Sequence, residues 1–297
     1  MNRLHDLPEL RQSLELLWLD PISPRNLDGN TPTLVFLHEG LGSITQWRDF
    51  PQALCNATGL RGLAYARQGY GQSSLRPQPA DTDFMHVEAQ QVLPALLESL
   101  GIERPILIGH SDGASIALLY SAWAQRRALQ ALPNPRTASA RGAPLPDTLA
   151  GIGFYPPAPL ALCVLAPHLF VEEAGVASIA QAHKLFNENP SFRERLGKYH
   201  RNVDQTFNNW ANVWLSEAFK PWNIEAELSD VVCPILAIQG CDDQYGSLAH
   251  IRRIPELVND ARQVDLLEIP NCKHSPHLEN QAEVLSACAR FLAQHVK

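Results

Sequence analysis

The hydrophobic positions of this chain fall into short apolar runs that alternate with longer amphipathic stretches. Most of the runs contain few polar residues, which is typical of strands buried on both faces of a sheet. We predict strands at residues 14–19, 33–38, 61–67, 105–109, 160–166, 234–239 and 264–269. Between them, apolar residues at helical spacing predict helices at residues 47–58, 87–100, 113–129, 250–259 and 281–295. This alternation predicts an α/β protein with a mostly parallel central sheet and helices on both faces.

Two segments interrupt the alternation. Residues 132–160 hold seven of the chain's 23 prolines and no regular pattern, which predicts an inserted surface loop. Residues 172–230, which we call the cap segment, show helical patterns rich in aromatic residues and no strand signal. A helical excursion between two strands of an α/β sheet usually covers the carboxyl ends of the strands. We therefore predict a core of residues 1–171 and 231–297, which carries the insertion, and a helical cap of residues 172–230.

The composition excludes several classes of function. The 297 residues include 24 Lys and Arg against 31 Asp and Glu, a formal net charge of −7. The chain contains no run of roughly five basic residues, so nucleic-acid binding is not indicated. Neither the apolar core of a secretory signal nor an apolar stretch of roughly 18 residues is present, so we expect no membrane span and a cytoplasmic location. Six scattered cysteines are typical of buried thiols in a reducing compartment.

The sequence PILIGHSDGASIALL carries the strongest chemical signal. Gly109, Ser111 and Gly113 form a G-x-S-x-G pattern between a predicted strand and a predicted helix. A nucleophile on such a sharp turn projects its oxygen outward, and the glycines remove side chains that would clash there. The pattern predicts Ser111 as a nucleophile. Asp112 lies outside the nucleophile position, so a carboxylate nucleophile is not indicated.

A serine hydroxyl is inert at neutral pH unless a base, itself held by an acid, removes its proton. Asp242 and Asp243 follow the strand sequence CPILAIQG, and His274 and His277 follow the last predicted strand. The chain order of serine, then acid, then histidine is that of α/β hydrolases and differs from that of the two serine protease classes. The residues alone leave the choice within each pair open.

With these motifs the chain resembles the α/β-hydrolase fold superfamily, in particular small bacterial esterases and carbon–carbon bond hydrolases. The resemblance implies that the acid stands three residues after the glycine that closes its strand, which selects Asp243 after Gly240 and leaves Asp242 as the second choice. It also implies that the catalytic histidine precedes a small residue and a proline, and HSPHLE then selects His274.

The same resemblance implies an oxyanion hole made of two backbone N–H groups. One belongs to Asp112, which follows the serine, and the other lies in the loop FLHEGLGSITQW, where it is Gly40 or alternatively Leu41. Glu39 stands in that loop where the superfamily has a glycine. Glu39 has two interpretations. In a structural role it caps a backbone N–H or reaches solvent, and in a functional role it positions water or selects the substrate.

Three further residues are candidates for the substrate pocket. His168 follows a predicted strand and either lines the pocket or is a hydrogen-bonded histidine under the cap. Trp210 and Trp214 lie on one face of a predicted cap helix, where they pack the cap against the core and roof the pocket. No metal site and no organic cofactor is implied.

These features predict a serine hydrolase that cleaves a small to medium carboxylic ester through an acyl-enzyme. One alternative is a carbon–carbon bond hydrolase for ring-cleavage products or an acyltransferase, for which Arg193, Arg195 and Arg201 are loose candidates to bind a second carboxylate. Another is a binding protein without catalysis that keeps the fold. The expected partner is a small acyl compound, and binding to nucleic acid or to a membrane is not expected. A homodimer is compatible with the sequence.

Overall fold

The computed structural model describes residues 2–25, 31–130, 156–260 and 263–296. Its described strands form one sheet in the order β1-β2-β4-β3-β5-β6-β7-β8. Their bounds are Arg3–Leu7 (β1), Gln12–Leu19 (β2), Thr33–Leu37 (β3), Arg61–Ala66 (β4), Pro105–His110 (β5), Leu162–Leu165 (β6), Ile235–Gly240 (β7) and Val264–Ile269 (β8). From β4 across to β8 neighbouring strands are parallel, whereas β1 and β2 are antiparallel to their neighbours. The predicted mostly parallel sheet is confirmed.

The first strand, β1, is not predicted by the sequence pattern. Its residues RLHDL are mostly exposed, and it pairs only with β2 at the edge of the sheet. An edge strand that buries little surface needs no apolar run, so hydrophobic periodicity does not report it.

Helices cover both faces of the sheet, as predicted. Their bounds are Phe50–Thr58 (α1), Phe84–Val87 (α2), Leu93–Ser99 (α3), Asp112–Gln130 (α4), Glu173–Glu188 (α5), Pro190–Gly197 (α6), Val203–Trp214 (α7), Ala249–Leu257 (α8), Pro276–Glu279 (α9) and Gln281–His295 (α10). A π-helical turn joins α2 to α3. Leu107 of β5 packs into one apolar cluster with α3 and α4, while its neighbours Ile106 and Ile108 pack into the other with α1 and α10. Burial on both faces explains the almost unbroken apolar runs.

The two irregular segments differ in how far they are described. Most of the predicted proline-rich insertion lies outside the described residues, which resume at residue 156. The cap segment contains α5, α6 and α7 and two short 3-10 helices, and an isolated β-bridge joins its Asn223 to Phe170, which precedes the segment. The division into core and cap stays a prediction.

Replacing Gly113 with alanine is expected to destabilise the fold by about 3 kcal/mol, because α4 packs directly on β3 at this glycine. A Cβ atom there would lie 2.0 Å from the Leu37 carbonyl oxygen and 2.7 Å from that of His38, and backbone cannot move aside cheaply. Urea unfolding measures the loss. Gly197→Ala is the matched control, since its Cβ would meet nothing closer than 3.8 Å, and an equal loss in both variants would contradict the clash.

Candidate active site

Ser111 occupies a sharp turn between β5 and α4. Its φ of 54° lies in the left-handed region, which is uncommon for a residue with a side chain. Alanine-type Cβ atoms at the flanking glycines would meet backbone: one at Gly109 would lie 2.4 Å from the Gly113 carbonyl oxygen. Ser111 N–H donates to the Leu165 carbonyl on β6 at 2.9 Å, which ties the turn to the neighbouring strand. The strained backbone thus presents the hydroxyl at the carboxyl edge of the sheet.

His274 and Asp243 contact each other at the same edge. His274 Nδ1 lies 2.9 Å from Oδ1 and 2.8 Å from Oδ2 of Asp243. The carboxylate also accepts hydrogen bonds from Gln239 Nε2 at 2.6 Å and from the Tyr245 N–H at 2.8 Å. Of the two candidate acids, the structure brings Asp243 to His274 and leaves Asp242 exposed. This arrangement suits a carboxylate that orients an imidazole.

Ser111 and His274 line one cavity of about 100 Å³. All the pocket candidates from the sequence line it, together with Ile179 and Tyr245, which sequence patterns did not indicate. The lining residues are Glu39, Gly40, Leu41, Ser111, Asp112, His168, Ile179, Trp210, Trp214, Tyr245 and His274. Ile179 and the two tryptophans come from the cap segment, which therefore forms part of the cavity wall.

Both residues of the predicted oxyanion donors line the cavity with Ser111. Asp112 is the first residue of α4, so its backbone belongs to the positive end of a helix. Gly40 lies under Trp210, whose Nε1 would be only 2.1 Å from a Cβ at this position. A side chain here would displace the indole, which explains the glycine. The structure brings both predicted donors to the cavity.

Glu39 connects the oxyanion loop to the histidine loop through His110. Its Oε2 lies 3.5 Å from His110 Nδ1, and His110 Nε2–H donates to the His274 carbonyl oxygen at 2.7 Å. Burial alone would raise the pKa of Glu39, but the interaction with His110 outweighs burial and lowers the pKa below its usual range, so the side chain is a carboxylate at neutral pH. The side chain is 24% exposed and also lines the cavity. It is therefore paired and still faces the space beside Ser111.

A buried arginine contacts two of the residues that line the cavity. Arg67 donates from Nη2 to the Glu39 carbonyl oxygen at 2.9 Å and lies 3.7 Å from Asp112 Oδ2. Burial raises the pKa of Asp112, and the charge of Arg67 opposes that rise. Arg67 thus contacts Asp112, which carries one predicted oxyanion donor, and Glu39, which precedes the other at Gly40.

His200 attaches the cap segment to the core. Its Nδ1 accepts a hydrogen bond from Gly71 N–H at 3.0 Å, and its Nε2–H donates to the Leu41 carbonyl oxygen at 3.0 Å. The next residue, Arg201, donates its N–H to the Gly71 carbonyl oxygen at 2.8 Å. An imidazole that accepts at one nitrogen and donates at the other is neutral. No local sequence signal indicates this contact, because its partners are far apart in the chain.

Several buried histidines make the stability of the fold depend on pH. Burial lowers the pKa of four of them: His38, His168, His200 and His277. Because the unfolded pKa is near 6.5, the unfolded chain takes up protons first as the pH falls. Their contribution to stability is complete above roughly pH 6.5 and is lost as the pH falls towards the folded pKa values.

We expect the free energy of unfolding to fall between about pH 7.5 and about pH 5.5, by at most ~1.4 kcal/mol per histidine and pH unit. Burial raises the pKa of Glu88 and Asp112, which act with the opposite sign, so the comparison needs a variant. Urea unfolding of the wild type and of His277→Gln at both pH values measures the difference. An identical pH slope in the two proteins would contradict the expectation.

The described residues offer neither a membrane span nor a metal site. None of the helices in this part of the chain is long and apolar enough to cross a membrane. The same residues contain no group of three or more His, Cys, Asp or Glu side chains arranged to hold a metal ion.

Comparison of the sequence with known families gives an extended match. The sequence model of the Alpha/beta hydrolase family matches residues 34–287. The chain is also 35% identical over 101 residues to the sn-1-specific diacylglycerol lipase ABHD11 of Mus musculus. That alignment covers 33% of this chain and 31% of the lipase, so it spans about a third of that relative.

Comparison with solved structures shows the same fold. Proline iminopeptidase of Mycobacterium smegmatis superposes with a TM-score of 0.69 at 18% identity, covering 99% of this chain and 98% of that one. A carboxylesterase structure from the ammonia-oxidizing thaumarchaeon Nitrososphaera gargenis gives a TM-score of 0.68 at 18% identity and covers 98% of each chain. At this identity the likeness concerns the fold alone.

Proposed function

Since the chain belongs to the alpha/beta hydrolase family, we propose that it is a serine hydrolase that cleaves small carboxylic esters through an acyl-enzyme. One observation carries the proposal. Ser111, on a strained turn, shares a cavity with His274, whose Nδ1 is held by Asp243. A nucleophile, a base and an acid that orients the base are the parts that this chemistry needs.

The proposed reaction uses these parts in order. His274 Nε2 accepts the Ser111 proton while Oγ bonds to the acyl carbon, and Asp243 stabilises the imidazolium that forms. The backbone N–H groups of Gly40 and Asp112 bind the oxyanion of the tetrahedral intermediate. Collapse breaks the bond to the leaving oxygen, which takes the proton from His274. Water then attacks the acyl-enzyme with His274 again as base and releases the acid.

The cavity favours a small acyl group without a negative charge. Its volume of about 100 Å³ is below the roughly 300–1,000 Å³ of pockets for drug-sized ligands. Leucine, isoleucine, tryptophan and tyrosine side chains form much of the wall. The ionised Glu39 beside the predicted oxyanion donors would repel an acyl group that carries a carboxylate.

The carbon–carbon bond hydrolase is the weaker candidate. Its substrates would need a cationic side chain to bind their second carboxylate, and the described residues that line the cavity include no lysine or arginine. Among the arginines suggested from the sequence, Arg193 pairs with Asp204 and lies over Phe186 on the cap segment. The charge of the cavity wall therefore supports hydrolysis of a neutral ester.

Two measurements test the proposal. Incubation with a fluorophosphonate probe should label Ser111, and a series of p-nitrophenyl esters should be hydrolysed with a preference for acetate and butyrate over octanoate and over the negatively charged hemisuccinate. Glu39→Gln should reduce the discrimination against hemisuccinate, because the repelling charge is gone. If the probe does not label Ser111 and no ester is hydrolysed, the proposal is overturned. A preference for hemisuccinate would overturn the assigned substrate charge.

A further inference from the structure

A second imidazole lies at the proposed nucleophile. His168 Nε2 is 3.4 Å from Ser111 Oγ, and the side chain lines the cavity although the residue is only 5% exposed. It reaches this place from the loop after β6, the strand next to β5 in the sheet. Because both strands are parallel, their carboxyl ends lie side by side, which brings the loop to Ser111.

The backbone around His168 is held in a strained and heavily bonded conformation. Ala166 has a φ of 49°, in the left-handed region, and its N–H donates to the Ile238 carbonyl oxygen at 2.8 Å. The Ser115 hydroxyl accepts from the His168 N–H at 3.0 Å and donates to the His168 carbonyl oxygen at 2.7 Å. One side chain of α4 thus satisfies both backbone polar groups of His168.

A second set of contacts supports the loop from the opposite side. Leu169 N–H donates to His250 Nδ1 at 3.2 Å, and His250 Nε2 lies 3.1 Å from Glu172 Oε2. The Ser247 N–H and hydroxyl both donate to Glu172, at 2.8 and 2.7 Å. Strained backbone that its surroundings hold in place is typical of functional sites.

The surroundings also decide the charge of this imidazole. Burial lowers the pKa of His168, and the neighbouring His250, His274 and His110 lower it further. Its ring lies 5.0 Å from that of Trp214 and 5.8 Å from that of His274, measured between centroids. A neutral imidazole has one N–H donor and one acceptor nitrogen. His168 therefore acts at neutral pH as a hydrogen-bonding group and not as a cation.

His168 Nε2 lies 3.4 Å from the Ser111 hydroxyl, which has a single proton to donate, and in the proposed function His274 of the same cavity takes that proton. Asp243 engages Nδ1 of His274, which leaves the Nε2 lone pair of His274 to accept that proton. His168 then has to present its N–H. We propose that His168 is a second catalytic residue, whose neutral Nε2–H donates a hydrogen bond to Ser111 Oγ.

This inference rests on the proposed function. During attack the Ser111 O–H bond breaks, its proton moves to His274, and the new bond joins Oγ to the acyl carbon. His168 keeps its proton throughout, and its N–H stabilises the partial negative charge on Oγ. During deacylation the bond from Oγ to the acyl carbon breaks, Oγ regains a proton from His274, and the same N–H stabilises the departing oxygen.

The rate of fluorophosphonate labelling tests the role, because it reports the reactivity of Ser111 without a chosen substrate. His168→Phe keeps a ring but removes the donor, and we expect labelling and kcat to fall roughly ten-fold or more. His168→Gln places an amide N–H near the position of Nε2 and should recover a measurable part of the rate. Circular dichroism and urea unfolding establish that both variants are folded.

The outcomes separate this inference from the proposed function. A wild type that is not labelled overturns the proposed function itself. Wild-type labelling with an unchanged rate in His168→Phe, or with equally slow Phe and Gln variants, overturns only the donor role. If the variants do not fold, ¹⁵N NMR of the wild-type imidazole decides: a proton on Nε2 supports the inference, and a proton on Nδ1 alone overturns it.

Discussion

Ser111→Ala is expected to abolish ester hydrolysis and fluorophosphonate labelling while the protein stays folded. The loss should be at least ~10³-fold, because the variant lacks the oxygen that bonds to the acyl carbon in the proposed reaction. Alanine has the same Cβ as serine, so the backbone with a φ of 54° is not strained further. Steady-state kinetics on p-nitrophenyl acetate measures the change.

The matched control for this variant is Ser121→Ala. Ser121 is a buried serine of α4, 3% exposed, whose hydroxyl lies 3.4 Å from Cys233 Sγ and which does not line the cavity. The Ser121→Ala variant should keep the activity of the wild type. His274→Ala should lose about as much activity as Ser111→Ala, and the double variant should lose little more, because the two groups act as a unit in the proposed reaction. Activity that persists in Ser111→Ala would contradict the assignment of the nucleophile.

Asp243→Asn is expected to lower kcat by roughly 10³–10⁴-fold with little change in stability. Asparagine fits the same space, but its amide N–H can donate a hydrogen bond to His274 Nδ1. The imidazole would then carry its own proton on Nε2 and could not accept that of Ser111. The Tyr245 N–H can still donate to the side-chain oxygen, so the loop should keep its shape.

Asp242→Asn serves as the control for the acid. Asp242 is adjacent in sequence but exposed, and its backbone N–H donates to the Cys272 carbonyl oxygen at 2.9 Å. The activity of the Asp242→Asn variant should stay within roughly two-fold of the wild type, as for most surface substitutions. A larger loss at position 242 than at position 243 would move the acid to Asp242.

Much of the fold follows from local patterns. The strands that are buried on both faces and the helices between them appear in the sequence as apolar runs and helical spacing, because burial acts on each residue separately. β1 escapes this reasoning, since its exposed residues at the sheet edge leave no periodic signal. The proline-rich segment is predicted from composition alone, and most of it lies outside the described residues.

The candidate site was predictable in part. The strand, turn and helix around Ser111 carry a local motif, and the positions of Asp243 and His274 after two strands follow from family resemblance. His168 and Glu39 were left with two interpretations each. Sequence patterns gave no indication of His110 as the link between Glu39 and His274, because its contacts join loops that are distant in the chain.

By itself, the sequence determined the α/β class, the turn that presents Ser111 and the presence of an acid and a histidine further along the chain. Only the tertiary structure decided which of these side chains meet. The order of the parallel strands brings the loops after β3, β5, β6, β7 and β8 to one edge of the sheet. There Asp243 rather than Asp242 holds His274, and His168 reaches Ser111. The physical reason is that periodicity and motifs report the local environment of a residue, whereas a distance between two loops depends on the packing of the whole sheet.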